Sequence, residues 1–532
     1  MKVYIDGLYY SLEQLSQTAT VIPHIDKNGG ELDLIFSDVI IIPSTICHEG
    51  LTFDVTEIGD HAFRQSFASS ILIPSSITKI GTSAFAECSK LTSLTIPNSV
   101  TSIQSAVFAE CHSLVSLVIP DSVIEIGGGM FYNCKKLRFV TFPKNMKCIA
   151  DYDDYRSNFP YSPTSESIGF FEGCTALEEL IIPETVTSIG KFAFSNCTAL
   201  KSISIPDSIT TIEQAAFENC TALTAIVLPQ RVNNIEEAVF YNCSSLRTIK
   251  LPPLITKISA TLFSKCFSIN NIIIPANVKK IDAYAFNECC SLKSITVPYG
   301  VTEIGDGAFL NCHSLCGVEI PSTVTCLGNL VFNGCTSLAS IEIPNSVQNI
   351  GGGVFGKCDK LKYVGLSENI TRLDAYETSF LNDANRGCGF FEGCTSLVSI
   401  NIPNKVVYIG TSTFENCISL TSITIPENIT CIGWFVFKNC FSLRSIFWNA
   451  IQYTGFDVDS NSRMLHYESF FCDICGQITD FIIGKNVKHI PAHLCYGMIK
   501  LSSVIIPNSA ISIGEKAFDN GTILQYGAIA DR

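Results

Sequence analysis

The residues best spaced for chemistry lie near the C-terminus. Cys472 and Cys475 form a C-x2-C pair, and His489 and His493 follow at H-x3-H. That spacing suits four-coordinate zinc. Slightly upstream, Asp457, Asp459 and Asn461 alternate, with Glu468 at the twelfth position. This is the ligand spacing of a helix-loop-helix calcium loop. Such a loop needs glycine at its sixth position, where Ser462 stands. Asp151 and Asp153 could pair as the two carboxylates of a hydrolase, but nothing in the sequence walls them into a pocket. No G-x-x-x-x-G-K-[ST] loop, G-x-S-x-G elbow or H-E-x-x-H pair occurs. The sequence therefore predicts no enzyme and no cofactor.

The elements that must position these residues are set by a repeat. Prolines stand 23 residues apart at Pro74, Pro97, Pro120 and Pro143, and again from Pro183 to Pro344. Ser367, Pro403, Pro426, Asn449, Gly484 and Pro507 continue the slots, which number about eighteen. In Leu91-Thr92-Ser93-Leu94-Thr95-Ile96-Pro97, apolar and hydroxyl residues alternate with the period of a strand. Pro97 then ends it by removing a donor. Val100 and Ile103 mark a second short strand. Glycines such as Gly81, Gly127 and Gly190 are read as a tight bend. An inward phenylalanine (Phe85, Phe108, Phe131, Phe194) comes next, then a cysteine three residues later. One such turn cannot bury its apolar face alone, but stacked copies can. The fold class expected is a repeat solenoid, mostly parallel β, with short 3-10 or helical pieces at most.

The repeat also accounts for most of the 25 cysteines. Sixteen are placed in one column, from Cys88 to Cys440 and then Cys475. Cys packs as a small hydrophobe, so a column of buried free thiols is expected. In this register Cys472 and Cys495 fall in the phenylalanine column, which explains the C-terminal cysteines without a metal. Sequons at Asn196, Asn219, Asn242, Asn369, Asn428 and Asn520 are read as structural.

Composition narrows the function classes. Hydrophobic residues make up 47% and charged residues 16%, which is far from a disordered chain. A net charge of -14 argues against nucleic acid as the partner. No apolar run is long enough to span a membrane. The N-terminal residues lack the apolar region of a secretory signal, which by itself points to the cytoplasm.

The pattern S-I-G-x-x-A-F-x-x-C-x-x-L-x-S-I-x-I-P, read from Ser188 to Pro206, resembles the BspA-like (Treponema pallidum type) leucine-rich repeat family. The likeness runs from about Val55 to Leu524. It implies a right-handed leucine-rich-repeat superhelix of 23-residue turns. It also implies display at a cell surface and adhesion to a host cell-surface or matrix protein, or a glycan. The expected division is an N-terminal β cap over 1–50, repeats over 51–524 and a tail over 525–532.

Binding is expected on one of two surfaces. Insertions near 151–167, 375–387 and 450–467 interrupt the period at one slot, between the second strand and the phenylalanine, so they should emerge on one side. They hold Asp151, Tyr152, Asp153, Asp154 and Tyr155; Tyr376, Phe380 and Asp383; and Tyr453, Phe456, Asp457, Asp459 and Asn461. Aromatics beside acids and amides suit recognition of a protein or a sugar. Equally, they are tolerated loops that cover neighbouring turns. The second surface is the strand face, with slots such as Ser93, Thr95, Ser202, Ser204, Thr248, Ser294 and Thr424, expected to be rich in hydroxyls and poor in charge. Presentation of such an extended surface makes an intracellular scaffold the alternative to an adhesin, and a calcium-dependent glycan binder a third reading.

Overall fold

The computed structural model describes residues 1–23, 38–152, 167–376, 388–453, 455–456, 471, 474–519 and 523–526. These form a β-solenoid of about 18 turns with almost no helix. They divide into two compact units, Met1–Ile255 with Thr261–Ser268, and Thr256–Ala260 with Ile269–Arg532.

Each turn has three sides, and each side follows from one segment of the repeat. On the first, strands such as Ser116–Val118 and Phe139–Thr141 pair in parallel, Leu117 opposite Val140. Pro120 ends the strand, and its carbonyl accepts the N–H of Val123 at 3.1 Å, making a β-turn. On the second side, two-residue strands stack in register, as Ile189, Ile212 and Ile235 do. The third side has no strands. There, alternate N–H groups point along the solenoid axis: Ser83 to Ser105, Phe85 to Val107 and Glu87 to Ala109, at 2.7–3.0 Å. The intervening N–H groups close small turns on their own chain, as Cys88 does on Phe85. Backbone polarity is thus satisfied without helix.

This third side needs two left-handed residues per turn. Ser83 and Glu87 have φ of 52° and 61°, and the pair recurs at Ala215 and Asn219 and at Ser412 and Asn416. The second slot often holds Asn, which tolerates this region better than most residues. The bend is therefore not made by the glycines assigned to it from the sequence. Gly81 and Gly127 serve close approach instead: a Cβ there would meet the backbone of the turn before.

The phenylalanines stack along each unit. From Phe63 to Phe263 in the first unit, ring centroids are 5.1–5.8 Å apart along the column. From Phe286 to Phe471 in the second they are 5.3–5.9 Å apart. Beside them run the cysteines, fully buried and unpaired. Their role is polar as well as apolar. Cys220 Sγ donates to the carbonyl of Phe194 at 3.1 Å, and Cys243 to Phe217 at 3.1 Å. The same bond repeats from Cys88 to Phe63 and from Cys440 to Phe414. Burial pushes the Cys197 and Cys220 thiols well above their ordinary range, so both stay protonated and can keep donating.

Cys475 does not belong to this column. Phe471 stacks on Phe437, and Ile474 N–H closes on Phe471 O, so Ile474 takes the cysteine slot. Cys475 opens a 3-10 helix, Cys475–Gln477, that takes up one extra residue. The next turn places Cys495 in the phenylalanine slot, its N–H on Ala517 O, and Met498 in the cysteine slot. Cys472 lies outside the described residues.

The N-terminal residues form an antiparallel meander, Lys2–Ile5, Leu8–Glu13 and Thr18–Ile22, whose last strand pairs with Leu51–Ile58 in parallel. Asp6 and Gly7, both at positive φ, make the first hairpin turn. Val39–Ile41 pairs with Ser70–Leu72 as a first strand of the repeat. Near the other end, Ile523–Tyr526 pairs with Ser503–Ile506.

Candidate functional site

The first two insertions leave the solenoid through matching stems. Tyr152 and Ile168 exchange two backbone hydrogen bonds, at 3.0 and 3.1 Å, in an antiparallel bridge. Tyr376 and Cys388 form the same bridge, with Tyr376 N–H on Cys388 O at 2.8 Å. Each stem crosses a Gly-Gly-Gly run, Gly127–Gly129 or Gly351–Gly353. A Cβ on Gly128 would collide with the carbonyl of Asp151, and one on Gly352 with the carbonyl of Ala375. Each returns through Gly-Phe-Phe-Glu-Gly-Cys-Thr, identical at 169–175 and 389–395. Glu172 accepts the Gly169 N–H at 2.9 Å, and Glu392 accepts that of Gly389 at 2.9 Å. The two insertions are therefore one structural device built twice.

The proposed insertion residues divide accordingly. Tyr152 is half-buried against Ile168, Ala86, Ala106 and Ala109, so its ring braces the stem. Asp151 stands near Glu213, whose carboxyl is pushed up by burial, then by Asp151 and Glu236. Tyr376 is also only partly exposed. Asp153, Asp154, Tyr155, Phe380, Asp383, Asp457, Asp459 and Asn461 lie outside the described residues, as does Glu468.

The third insertion starts later than the sequence suggests. Gly455–Phe456 is the second strand of its turn, paired with Cys431–Ile432. Residues 450–453 and 455–456 thus belong to the repeat. Tyr453 packs edge-on against the buried Trp448, centroids 5.4 Å apart, and burial raises its hydroxyl. It is a packing residue. Among the described residues, no cluster of His, Cys, Asp and Glu is placed to hold a metal. His489 lies in a second-side strand with Nδ1 2.8 Å from Ser512 Oγ, while His493 fills a left-handed slot.

The strand face carries the more developed surface. Ser93, Thr95, Ser202, Ser204, Thr248 and Lys250 are exposed, as the alternation predicts. The face is less uniformly hydroxylated than expected. The slot between the two buried apolar positions is aliphatic in many turns, with Ile181 83%, Val227 75% and Ile273 79% exposed. The slot before it is usually Ser. In the two stem-bearing turns it is aromatic, Phe139 and Tyr363.

At those same two turns the strand face opens into a groove. The first, about 570 Å³, is lined by Phe139, Lys144, Glu179, Ile181, Ser202 and Ser204 over an apolar floor that includes Phe142 and Leu180. The second, about 500 Å³, is lined by Glu342, Asn345, Tyr363, Glu368, Ser399 and Asn401. An inserted second phenylalanine enters the core of each of these turns: Phe170 packs at 5.9 Å on Phe142 of the first groove's floor, and Phe390 lies 4.9 Å from Phe391. The grooves escape a repeat-by-repeat reading, because that reading averages over turns. Aligning the two Gly-Gly-Gly turns with each other would have exposed them.

The profile of the BspA type leucine-rich repeat region matches residues 51–159, 164–291, 256–385 and 387–525. The chain belongs to the BspA type leucine-rich repeat family. Solved leucine-rich repeat structures are among those similar to it. A leucine-rich repeat protein from Bacteroides ovatus shares 24% identity over 84% of this chain and 99% of that one, with a TM-score of 0.55. A leucine rich cell surface protein from Faecalibacterium prausnitzii shares 24% identity over 85% and 95%, with a TM-score of 0.36. The T. pallidum leucine rich repeat protein shares 17% over 64% and 91%, with a TM-score of 0.17. No curated protein matches significantly. Neither the BspA type family nor the fold indicates a catalytic class, and no described helix is long and apolar enough to cross a membrane.

Proposed function

We propose that this chain is a non-catalytic, adhesion-type interaction protein that binds a protein partner across its strand face. The observation that carries the reading is the column of exposed aliphatic side chains, Val118, Ile181 and Val227 in the first unit and Ile273, Ile482 and Ile505 in the second. Along the first part of the face they alternate with Thr141, Ser204 and Lys250; Val118, Val227, Ile482 and Ile505 lie in parallel strands and Ile181 in an isolated bridge. Apolar side chains held in water by a rigid sheet favour association, and each offers about 1.5–3 kcal/mol on full burial. The partner class is a host cell-surface or matrix protein, and display at the cell surface goes with it.

The test has two arms. Protease is applied to intact source cells, and purified chain is assayed against immobilised matrix and cell-surface proteins by surface plasmon resonance. Loss of the protein from intact cells, with binding weakened at least tenfold by Val227→Asp and Ile273→Asp together, supports the proposal. Protection until lysis, with no binding to the panel, refutes it and supports a scaffold inside the cell. The unpaired thiols favour that second reading, since free cysteines persist in reducing compartments.

A further inference from the structure

We infer that the grooves at Phe139 and Tyr363 are two related recognition sites, each taking an arginine or lysine side chain from an extended segment of a protein partner. The inference rests on the protein-binding reading above and names the chemistry of the partner. Both grooves lie at turns that carry a stem and the Gly-Phe-Phe-Glu-Gly-Cys-Thr return, each preceded by a turn with a Gly-Gly-Gly run. Both replace the usual Ser of the strand slot with an aromatic ring, 60% exposed at Phe139 and 55% exposed at Tyr363. Each also holds a carboxylate, though from different turns: Glu179 faces Phe139 from the following turn, while Glu342 comes from the turn before Tyr363 and Glu368 stands at the slot that Lys144 fills in the first groove.

A ring face beside a carboxylate is the pairing that selects a cation. The ring quadrupole attracts the charge, and the carboxylate accepts its N–H groups. The chain already uses this pairing internally. The Arg372 guanidinium lies 4.0 Å above the Tyr408 ring while its Nε donates to Asp374 at 3.0 Å. In the second groove, Glu342 lies close enough to Tyr363 to raise its hydroxyl, so ring and acid stand side by side. Gly365 makes room for this: a Cβ there would collide with the Glu342 carboxylate. No basic residue lines that groove. The first contains Lys144, whose ammonium pairs with Asp121 at 3.3 Å. A net charge of -14 further draws a basic partner toward the surface.

The probe is a fluorescein-labelled hexa-arginine peptide, titrated into the full chain by anisotropy and calorimetry, with neutral maltohexaose titrated in parallel. Wild type is expected to bind two peptides. Phe139→Ala with Glu179→Gln, or Tyr363→Ala with Glu342→Gln, reduces this to one, and the combination weakens binding at least tenfold. Asp54→Asn with Glu237→Gln removes the same two charges from exposed sites outside both grooves and leaves binding within twofold. All substituted side chains are exposed, and unchanged melting curves check that each variant is folded. If the control weakens binding as much as the combined groove variant, attraction is diffuse and the inference fails. It fails equally if maltohexaose, and not the peptide, loses binding on the groove variants. Val227→Asp with Ile273→Asp leaves the grooves intact, so loss of partner binding there with peptide binding retained separates the two proposals.

Discussion

Replacing Asn219 tests the physical account of the third side. Asn219 sits at φ 58°. Its Nδ2 donates to Asn196 Oδ1 at 3.1 Å, and its Oδ1 accepts from Asn242 Nδ2 at 2.8 Å. Asn219→Ala places a residue with a Cβ and no local polar group in the left-handed region, at about 1 kcal/mol. It also removes two partly buried hydrogen bonds, worth about 1 kcal/mol each. The expected loss is about 3 kcal/mol. Asn219→Gly loses the same bonds but adopts the backbone angle freely, so it should cost about 1 kcal/mol less. Urea unfolding of the full chain, followed by far-UV circular dichroism, reads both. The ordering is the decisive part, because in most solvent-facing positions glycine is worse than alanine. If Asn219→Gly is as damaging as Asn219→Ala, or if the alanine variant loses under 0.5 kcal/mol, the left-handed ladder is not what holds this side.

The buried thiols predict alkaline weakness. Folded Cys111, Cys134, Cys174, Cys197 and Cys220 titrate well above 9.0, whereas unfolded thiols ionise near about 8.5. Above that pH the unfolded chain holds fewer protons than the folded one, so stability falls as pH rises; a melting temperature as high at pH 10 as at pH 8 would contradict this. Gly352→Ala drives a Cβ into the Ala375 carbonyl beneath the second stem, and overpacking of this kind costs about 1–3 kcal/mol. Limited proteolysis should then cut within 377–387 faster than in wild type, and equal rates would count against the stem. When the chain is expressed through a secretory pathway, Asn219 should stay unglycosylated in folded protein, because its amide nitrogen is engaged with Asn196; peptide mass spectrometry showing high occupancy would oppose a structural role for that sequon.

The period of 23 was legible because Pro, Phe and Cys each mark one slot without ambiguity, and the strands followed from alternation around Leu94 and Ile96. The third side was not legible, because its geometry depends on left-handed residues such as Ser83 and Glu87, whose types carry no strong backbone preference. Glycine was the misleading signal: Gly81 answers to a neighbouring turn's backbone, a contact 22 residues away that no local rule reports. Cys475 was misplaced for a related reason. The extra residue in its 3-10 turn breaks the count, and Phe471 shows the true register only once its ring is seen on Phe437. Tyr152 and Tyr453 read as recognition residues from type alone, and both are occupied by packing. The grooves needed comparison between two distant turns, since each turn taken singly differs from the consensus only by an aromatic at a solvent-facing slot.

The stems at Tyr152–Ile168 and Tyr376–Cys388 uncouple chain length from phase. Most of the rest of the solenoid counts in steps of 23, and an extra residue there has to be absorbed on the spot, as the 3-10 turn Cys475–Gln477 does. A segment pinched shut at its base escapes that arithmetic, because the chain re-enters the next turn from the same point whatever it has done in between. Such positions behave as sockets. The lineage can lengthen, shorten or exchange what is plugged into them at a rate set by selection on the plug alone, while the stacked frame stays under its own, much stricter, bookkeeping of register.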